Sequence, residues 1–453
     1  MPRSRSIAAF TCALMLGACS FVPDYERPAV STPAAFEGPQ SAYGAITVAA
    51  DWWTSFGDSE LQSLMSEALA NNLDIAAALA RIDEAQGQLR ATDASLLPQV
   101  EASGDASRSY GSGSNGGKKS ASGSLSISYA VDLWGLYRAQ SESSEASFNA
   151  SRFDHDATVL LVQSSVATTY FNILNLKDRL AIARESLAAA QETLTLVEAR
   201  FTHGADSALD LAQQKAAVAS IQAGIPSLEN QLAANQHALA ILLGRAPEGF
   251  AVKTATGGAL KLPAIAAGQP SSLLERRPDI RRAEAQLQSA NADIGAARAA
   301  FFPNLSLSAG KTVDWIAGAG TTNGSSIAAS VLAPIFSGGE LEGNLQTSKA
   351  KKVELAADYR KAVLTAFGEV EDALVGADAN ARQAASQGVA AEESRKAYDL
   401  SQQSYKAGAV DFVTVLDAER SWLSARDAEA QARLAQYTAA VNLFIALGGG
   451  WTS

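Results

Sequence analysis

The 453-residue chain holds two cysteines and three histidines. Two thiols exclude a disulfide-dense scaffold and a zinc site of four thiolates. Three imidazoles far apart in sequence leave little for histidine chemistry. Basic side chains are also scarce, 36 against 47 acidic ones, for a formal charge of -11. With a pI near 5.0, a nucleic-acid backbone is excluded as a partner on electrostatic grounds. Charged residues are 18% of the chain, below the ~25% of soluble domains. Even so, no run of ~18 apolar residues follows the N-terminus, so transmembrane helices are not expected.

Catalytic signatures are missing too. Gly111-Ser112-Gly113-Ser114-Asn115-Gly116 fits G-x-G-x-x-G, but it leads into a strand and offers a phosphate no helix N-terminus. Asp154-His155-Asp156 lies in helical sequence with no second histidine at i+4, so it makes no metal site. His203 beside a turn and His237 in a helix read as structural or exposed. No serine sits in a nucleophile elbow. Neither an enzyme, nor a metal centre, nor a cofactor site is expected.

What is present begins with an address. Arg3 and Arg5 precede an apolar stretch, Ile7 to Leu16, too short for a span and shaped like a secretory signal. It ends Leu16-Gly17-Ala18-Cys19, which resembles a bacterial lipoprotein box. The resemblance implies cleavage after residue 18 and an N-acyl, S-diacylglycerol lipid on Cys19. It also implies, through Ser20, delivery to the outer membrane. Cys12 leaves with the leader. One acyl chain holds a membrane only marginally, so a second membrane contact is expected from the body of the chain.

That body repeats itself. Leu73-Asp74-Ile75 and Leu96-Leu97-Pro98 recur as Pro278-Asp279-Ile280 and Phe301-Phe302-Pro303, 205 residues on. Ala130, Leu133 and Gly135 recur as Ala333, Phe336 and Gly338, at 203. Phe201 and Gly204 match Tyr405 and Gly408, and Leu239, Ile241, Leu243 and Gly244 match Leu443, Ile445, Leu447 and Gly448, both at 204. Four matches in one order mark a tandem duplication. The expected division is a leader (1–18), a lipid-anchored extended segment (19–59), a first repeat (60–246), a linker (247–264), a second repeat (265–450) and a short tail (451–453).

Each repeat reads helix, strand, strand, very long helix, turn, long helix. Apolar residues at helical spacing (Ile75, Leu79, Ile82, Leu89) stop at Pro98, and the second copy stops at Pro303. Beyond each proline the period becomes two. Leu125, Ile127, Tyr129 and Val131 alternate with polar residues, as do Ile327, Ala329 and Val331. The Gly/Ser-rich stretches Ser109–Ser124 and Gly318–Ser326 read as solvated loops. Between Leu136 and His203 there is no glycine or proline, which suits one continuous helix on the order of 100 Å long. Gly204 and Gly408 are the predicted hairpin turns.

Strands of this length match the ~9–11 residues of a tilted membrane strand, and such strands must close into a barrel. Four are too few, since the smallest bacterial barrels have about eight. Two chains or three would serve.

Arg276-Arg277-Pro278-Asp279-Ile280-Arg281, with Glu284, Ala290-Asn291-Ala292-Asp293-Ile294-Gly295 and Phe302-Pro303-Asn304-Leu305, resembles the signature of the TolC-like outer membrane efflux factors. Pro23-Asp24-Tyr25-Glu26-Arg27-Pro28, Trp52-Trp53, Asp132-Leu133-Trp134-Gly135, Pro334-Ile335-Phe336-Ser337-Gly338-Gly339 and Val415-Leu416-Asp417-Ala418-Glu419-Arg420 agree with it. The resemblance spans the mature chain. It implies an α+β membrane protein in which a homotrimer forms a 12-stranded barrel and a periplasmic helical barrel. It implies, as partners, a periplasmic adaptor and an inner-membrane resistance-nodulation-division pump. The function implied is a passive exit duct for drugs or other small toxic compounds in the outer membrane of a Gram-negative bacterium.

The same resemblance implies a periplasmic gate. Val413 falls where the family commonly has a larger leucine ring, and Asp417 at a carboxylate ring that admits cations. Tyr405 and Arg420 match positions that hold the closed state by bonds between helices. Their counterparts in the first repeat, Phe201, Leu209 and Gln213, lack that polar chemistry. Two alternatives are an exit duct for type I protein secretion and a coiled-coil lipoprotein stalk without a channel.

Overall fold

The computed structural model describes residues 20–38, 49–110, 118–257, 260–265 and 268–451. Cys19 and the Gly111–Gly116 run lie outside the described residues. The elements are α1 (Ser59–Asn71), α2 (Leu73–Asp93), β1 (Gln99–Ser109), β2 (Lys118–Val131), α3 (Leu136–Thr202) and α4 (Ala208–Leu242), followed by α5 (Leu273–Arg276), α6 (Pro278–Ala299), β3 (Asn304–Ile316), β4 (Gly320–Leu332), α7 (Glu340–Lys406) and α8 (Phe412–Ala446). The duplication is visible in lengths: α3 and α7 have 67 residues each, and α4 and α8 have 35 each.

The chain divides into two compact units. One gathers the segment up to Val30 with Ala80–Phe153 and Asp279–Ala362. Its centre is a four-stranded antiparallel sheet in the order β1-β2-β3-β4. Residues directly opposite in a ladder share a face. Val100, Ile127, Ala309 and Ile327 therefore form one apolar row across all four strands, and Tyr129, Leu307 and Ala329 form another. The opposite face is small and polar: Ser103, Ser124, Thr312 and Gly324 stand in one row, and the Ser103 and Ser124 hydroxyls bond at 2.8 Å. Apolar side chains stay exposed, Ile327 at 91%. Among the described residues, β1 and β4 each have one hydrogen-bonded neighbour, so both outer edges of the sheet are open.

The strands run further than the sequence suggests. β2 starts at Lys118 and β4 at Gly320, inside the stretches expected as loops. The serines of β2 are the reason. Ser120, Ser122, Ser124, Ser126 and Ser128 fall on alternate positions and make up the polar face, so a serine-rich run here is half of a strand pattern.

In this unit the N-terminal segment is strapped to α6 by the signature residues. Arg27 donates to both carboxylate oxygens of Glu284, at 2.7 and 2.9 Å. Asn291 donates to the Pro23 carbonyl at 2.7 Å, and Arg298 to the Phe21 carbonyl at 3.2 Å. Phe21 stacks on Phe302 at 4.6 Å, whose other neighbour is Trp134 at 5.0 Å. The sequence motif is in large part a docking groove for its own N-terminus.

The second unit comprises Ser31–Leu79, Asp154–Pro278 and Val363–Ser453. Its core is aromatic. Trp52 stacks on Phe444 at 5.1 Å and Phe56 meets Phe171 at 4.9 Å, while the Tyr170 hydroxyl donates to Asp58 at 2.9 Å. Two expectations change here. Trp52–Phe56 forms a buried 3-10 turn within the segment predicted to be extended. In addition, α3 contains an 18-residue window with a mean hydropathy of 1.3, long and apolar enough to cross a membrane by composition, and half of that window is buried. Among the apolar residues of α3, Leu160, Val166, Phe171 and Leu174 are buried, so part of this hydropathy is that of a core helix.

Two glycines close the repeats alike. Gly244 and Gly448 have φ of +68° and +90°, a region that side chains with a Cβ avoid. A Cβ on Gly244 would collide with the carbonyl oxygen of Asn71, and one on Gly448 with that of Arg276. Asn72 fastens the first junction further: its amide donates to the Leu242 carbonyl at 2.8 Å, and its oxygen caps α2 through the Asp74 and Ile75 amides.

Candidate functional site: the helical hairpin tips

Both turns are built by the same rule. Gly204 and Gly408 adopt φ of +74° and +75°. Gly204 N–H bonds to Phe201 and Ala205 N–H to Arg200; Gly408 bonds to Tyr405 and Ala409 to Ser404. These are the paired bonds that finish a helix on a left-handed residue. Ser207 and Asp411 then cap the returning helices through the amides of Asp210 and Thr414.

The two tips differ in their side chains. Tyr405 is 2% exposed, and its hydroxyl donates to Asp206 of the other turn. Arg200 donates to the same carboxylate at 3.0 Å, and its guanidinium stands 4.4 Å from the Tyr405 ring centre. Burial first, then the Asp206 carboxylate, pushes the Tyr405 phenol well above its usual range. The hydrogen bond that Arg200 donates to Asp206 raises its guanidinium as well. Beneath this cluster Tyr398 stacks on Trp422 at 5.0 Å, and Tyr405, Phe412, Val415 and Leu416 complete a buried core.

α8 has two faces at the tip. Phe412, Val415, Leu416, Glu419 and Trp422 are buried. Val413, Asp417 and Arg420, at i, i+4 and i+7, share the exposed face. The predicted gate residues are thus split. The apolar position and the carboxylate lie together with Arg420, whereas Tyr405 turns inward to Asp206 and Arg200. Phe201 and Leu209 are exposed, and Gln213 is half-buried.

Sequence reading missed Arg200 and Asp206. One signal was available: at the repeat offset Asp206 faces Val410 and Arg200 faces Ser404, so both polar residues are departures from the second copy placed beside a turn. The buried Glu419 stands inside the Val415–Arg420 motif, and no sequence signal sets it apart from its neighbours.

Known proteins match over nearly the full length. The profile of the family described as outer membrane efflux protein matches residues 64–245 and again 269–449. The chain is 38% identical to the pyoverdine export outer membrane protein OpmQ of Pseudomonas aeruginosa, covering 99% of this chain and 98% of that one. It is 34% identical to the cation efflux system protein CusC of Escherichia coli, over 98% of each, and 34% identical to the toluene efflux pump outer membrane protein TtgC of Pseudomonas putida, over 97% and 94%. Among solved structures, CusC superposes with a TM-score of 0.84 at 32% identity, covering 95% of this chain and 100% of that one. The open state of the Neisseria gonorrhoeae MtrE channel superposes with 0.86 at 29% identity, covering 96% and 99%.

A two-faced sheet with open edges and paired long helical hairpins define a class, the outer-membrane efflux ducts of Gram-negative bacteria. The chain belongs to the outer membrane efflux protein family, and its function is that of an exit duct.

Proposed function

We propose that three copies of the chain close their sheets edge to edge into a 12-stranded barrel and serve a tripartite pump as its passive outlet. The observation that carries this is the sheet. Its apolar rows need hydrocarbon, its serine face needs water, and its two open edges need a neighbour. Because the four strands alternate in direction, β4 of one copy meets β1 of the next antiparallel. The helical hairpin tips then face the periplasm, where Val413 and Asp417 from each copy ring the lumen. A periplasmic adaptor would join these tips to an inner-membrane resistance-nodulation-division pump, which supplies the energy, and no catalysis by this chain is involved. A covalent lipid on Cys19 is the second anchor.

The cargo is a small molecule chosen upstream. Relatives at 34–38% identity carry names for pyoverdine, cations and toluene, and such unlike cargo speaks for selection by the pump. Purified protein in planar bilayers tests the duct. Discrete cation-preferring channels from a cross-linkable trimer are expected. Well-folded protein that never conducts, even as Asp417→Ala, would instead favour the lipoprotein stalk. Mass spectrometry of the mature N-terminus should find the lipid on Cys19, and Cys19→Ser should remove it.

A further inference from the structure

Glu419 is 1% exposed within the tip core, and neither of its carboxyl oxygens has a hydrogen-bond partner. Beside it lies Gln214 of α4, fully buried. The Gln214 amide nitrogen is committed to the Ala190 carbonyl at 2.8 Å, which fixes the orientation of the amide and leaves its oxygen also without a partner. Three acceptor oxygens of two neighbouring side chains are therefore buried without a hydrogen-bond partner. A buried carboxylate left in that state would be costly. A single proton resolves it, because a neutral carboxyl gains an O–H that can donate to the Gln214 oxygen.

The surroundings favour that proton. Burial pushes the Glu419 carboxyl up to about 7, against the opposing pull of Gln214 and Arg420. The other ionisable groups around it do little to hold an anion. Tyr398 of α7 is pushed upward by its burial and by Glu419, Asp399 and Glu192. On α4 the Lys215 ammonium is turned to Glu198 of α3 at 3.4 Å. At the repeat offset Glu419 corresponds to Lys215 and Gln214 to Ala418, so the pairing occurs once per chain.

We propose that Glu419 is a protonation-sensitive latch of the hairpin tips: neutral, it joins α8 to α4 through Gln214, and charged, it loosens the core that carries Asp417 and Val413. This deepens the duct reading and rests on it for the consequence at the lumen. The sign follows from linkage. A carboxyl raised on folding contributes stability that is complete below about 4.5 and is lost as pH rises through about 7. The tips should hold fast on the acidic side and yield on the alkaline side.

Hydrogen–deuterium exchange of the full-length trimer, corrected for intrinsic rates, tests the latch at about pH 6 and about pH 8.5. In the parent protein the tip segments of α4 and α8 should exchange about tenfold faster at the higher pH. Glu419→Gln, whose amide can donate to Gln214 at either pH, should stay at the slow level throughout. If that variant does not assemble, Glu419→Met, uncharged at any pH, should give the same flat profile. Equal exchange at both pH values in the parent, or an unchanged pH step in either variant, overturns the latch. Bilayer conductance separates the two readings. A conducting protein with flat exchange removes the latch alone, and pH-dependent tips in a protein that never conducts remove the duct alone.

Discussion

Tyr405 and Asp206, 199 residues apart in sequence, meet across the two hairpin turns, the phenol donating to the carboxylate. Their counterparts at the repeat offset are Phe201 and Val410, whose side chains have nothing to donate or accept. The polar fastening of the tips is therefore single where the duplicated backbone offers two places for it.

Tyr405→Phe keeps the ring and removes the hydroxyl. The loss should be about 1 kcal/mol, read as a modest fall in thermal midpoint, with longer or more frequent channel openings. Asp206→Ala removes the acceptor of both Tyr405 and Arg200 and should cost about 2–3 kcal/mol. Because the three groups share one network, the double variant should fall short of the sum. Strict additivity would show that the Tyr405 hydroxyl gains nothing from Asp206.

Asp417→Asn takes one carboxylate per chain from the face shared with Val413 and Arg420. Cation preference, measured as the reversal potential across a salt gradient, should move towards zero. Val413→Leu, larger on the same face, should lower the conductance without changing the preference. An unaltered reversal potential in Asp417→Asn would place that residue away from the conducting path.

Gly244→Ala and Gly448→Ala each add a Cβ where φ is positive and a carbonyl oxygen already stands. The left-handed conformation alone should cost about 1–2 kcal/mol, and the collision adds to it. Both variants should assemble poorly in the outer membrane fraction. Gly87→Ala, on α2 with open space around it, is the control and should gain up to about 1 kcal/mol.

Glu284→Ala removes the carboxylate that Arg27 grips twice. The strap of residues 20–30 should lift from α6 and expose the chain to protease near Tyr25 and Arg27. The sheet, held by its own ladders, should remain intact. Arg27→Lys, with one donor head in place of a planar fork, should give an intermediate rate of cleavage.

The backbone plan was legible because it is written twice. Glycine and proline are punctuation, and their recurrence near 204 residues located the helices, turns and hairpins. Patterns carried by one kind of residue were harder. The serines of β2 hid the first half of a strand because a polar face resembles a loop when the apolar face is small, with Ala121 and Gly123 in its row. The core residues of α3 resembled nothing in particular until Trp52 and Phe56 supplied the partners. The candidate site at the tips was half legible. Single positions could be matched to a family pattern, yet the partner of Tyr405 lies in the other repeat, and no local period reports a contact between residues so far apart.

Each repeat adds a hairpin to the sheet, and a hairpin is always an up strand and a down strand. Any number of such units closes without a clash of direction, so a chain with one repeat could have built the same ring from twice as many identical copies. Joining two repeats left the geometry of closure alone but ended the enforced sameness of the subunits. After that step one tip could carry an aspartate where the other has a valine, and a symmetric ring could come to carry its fastenings at every second position.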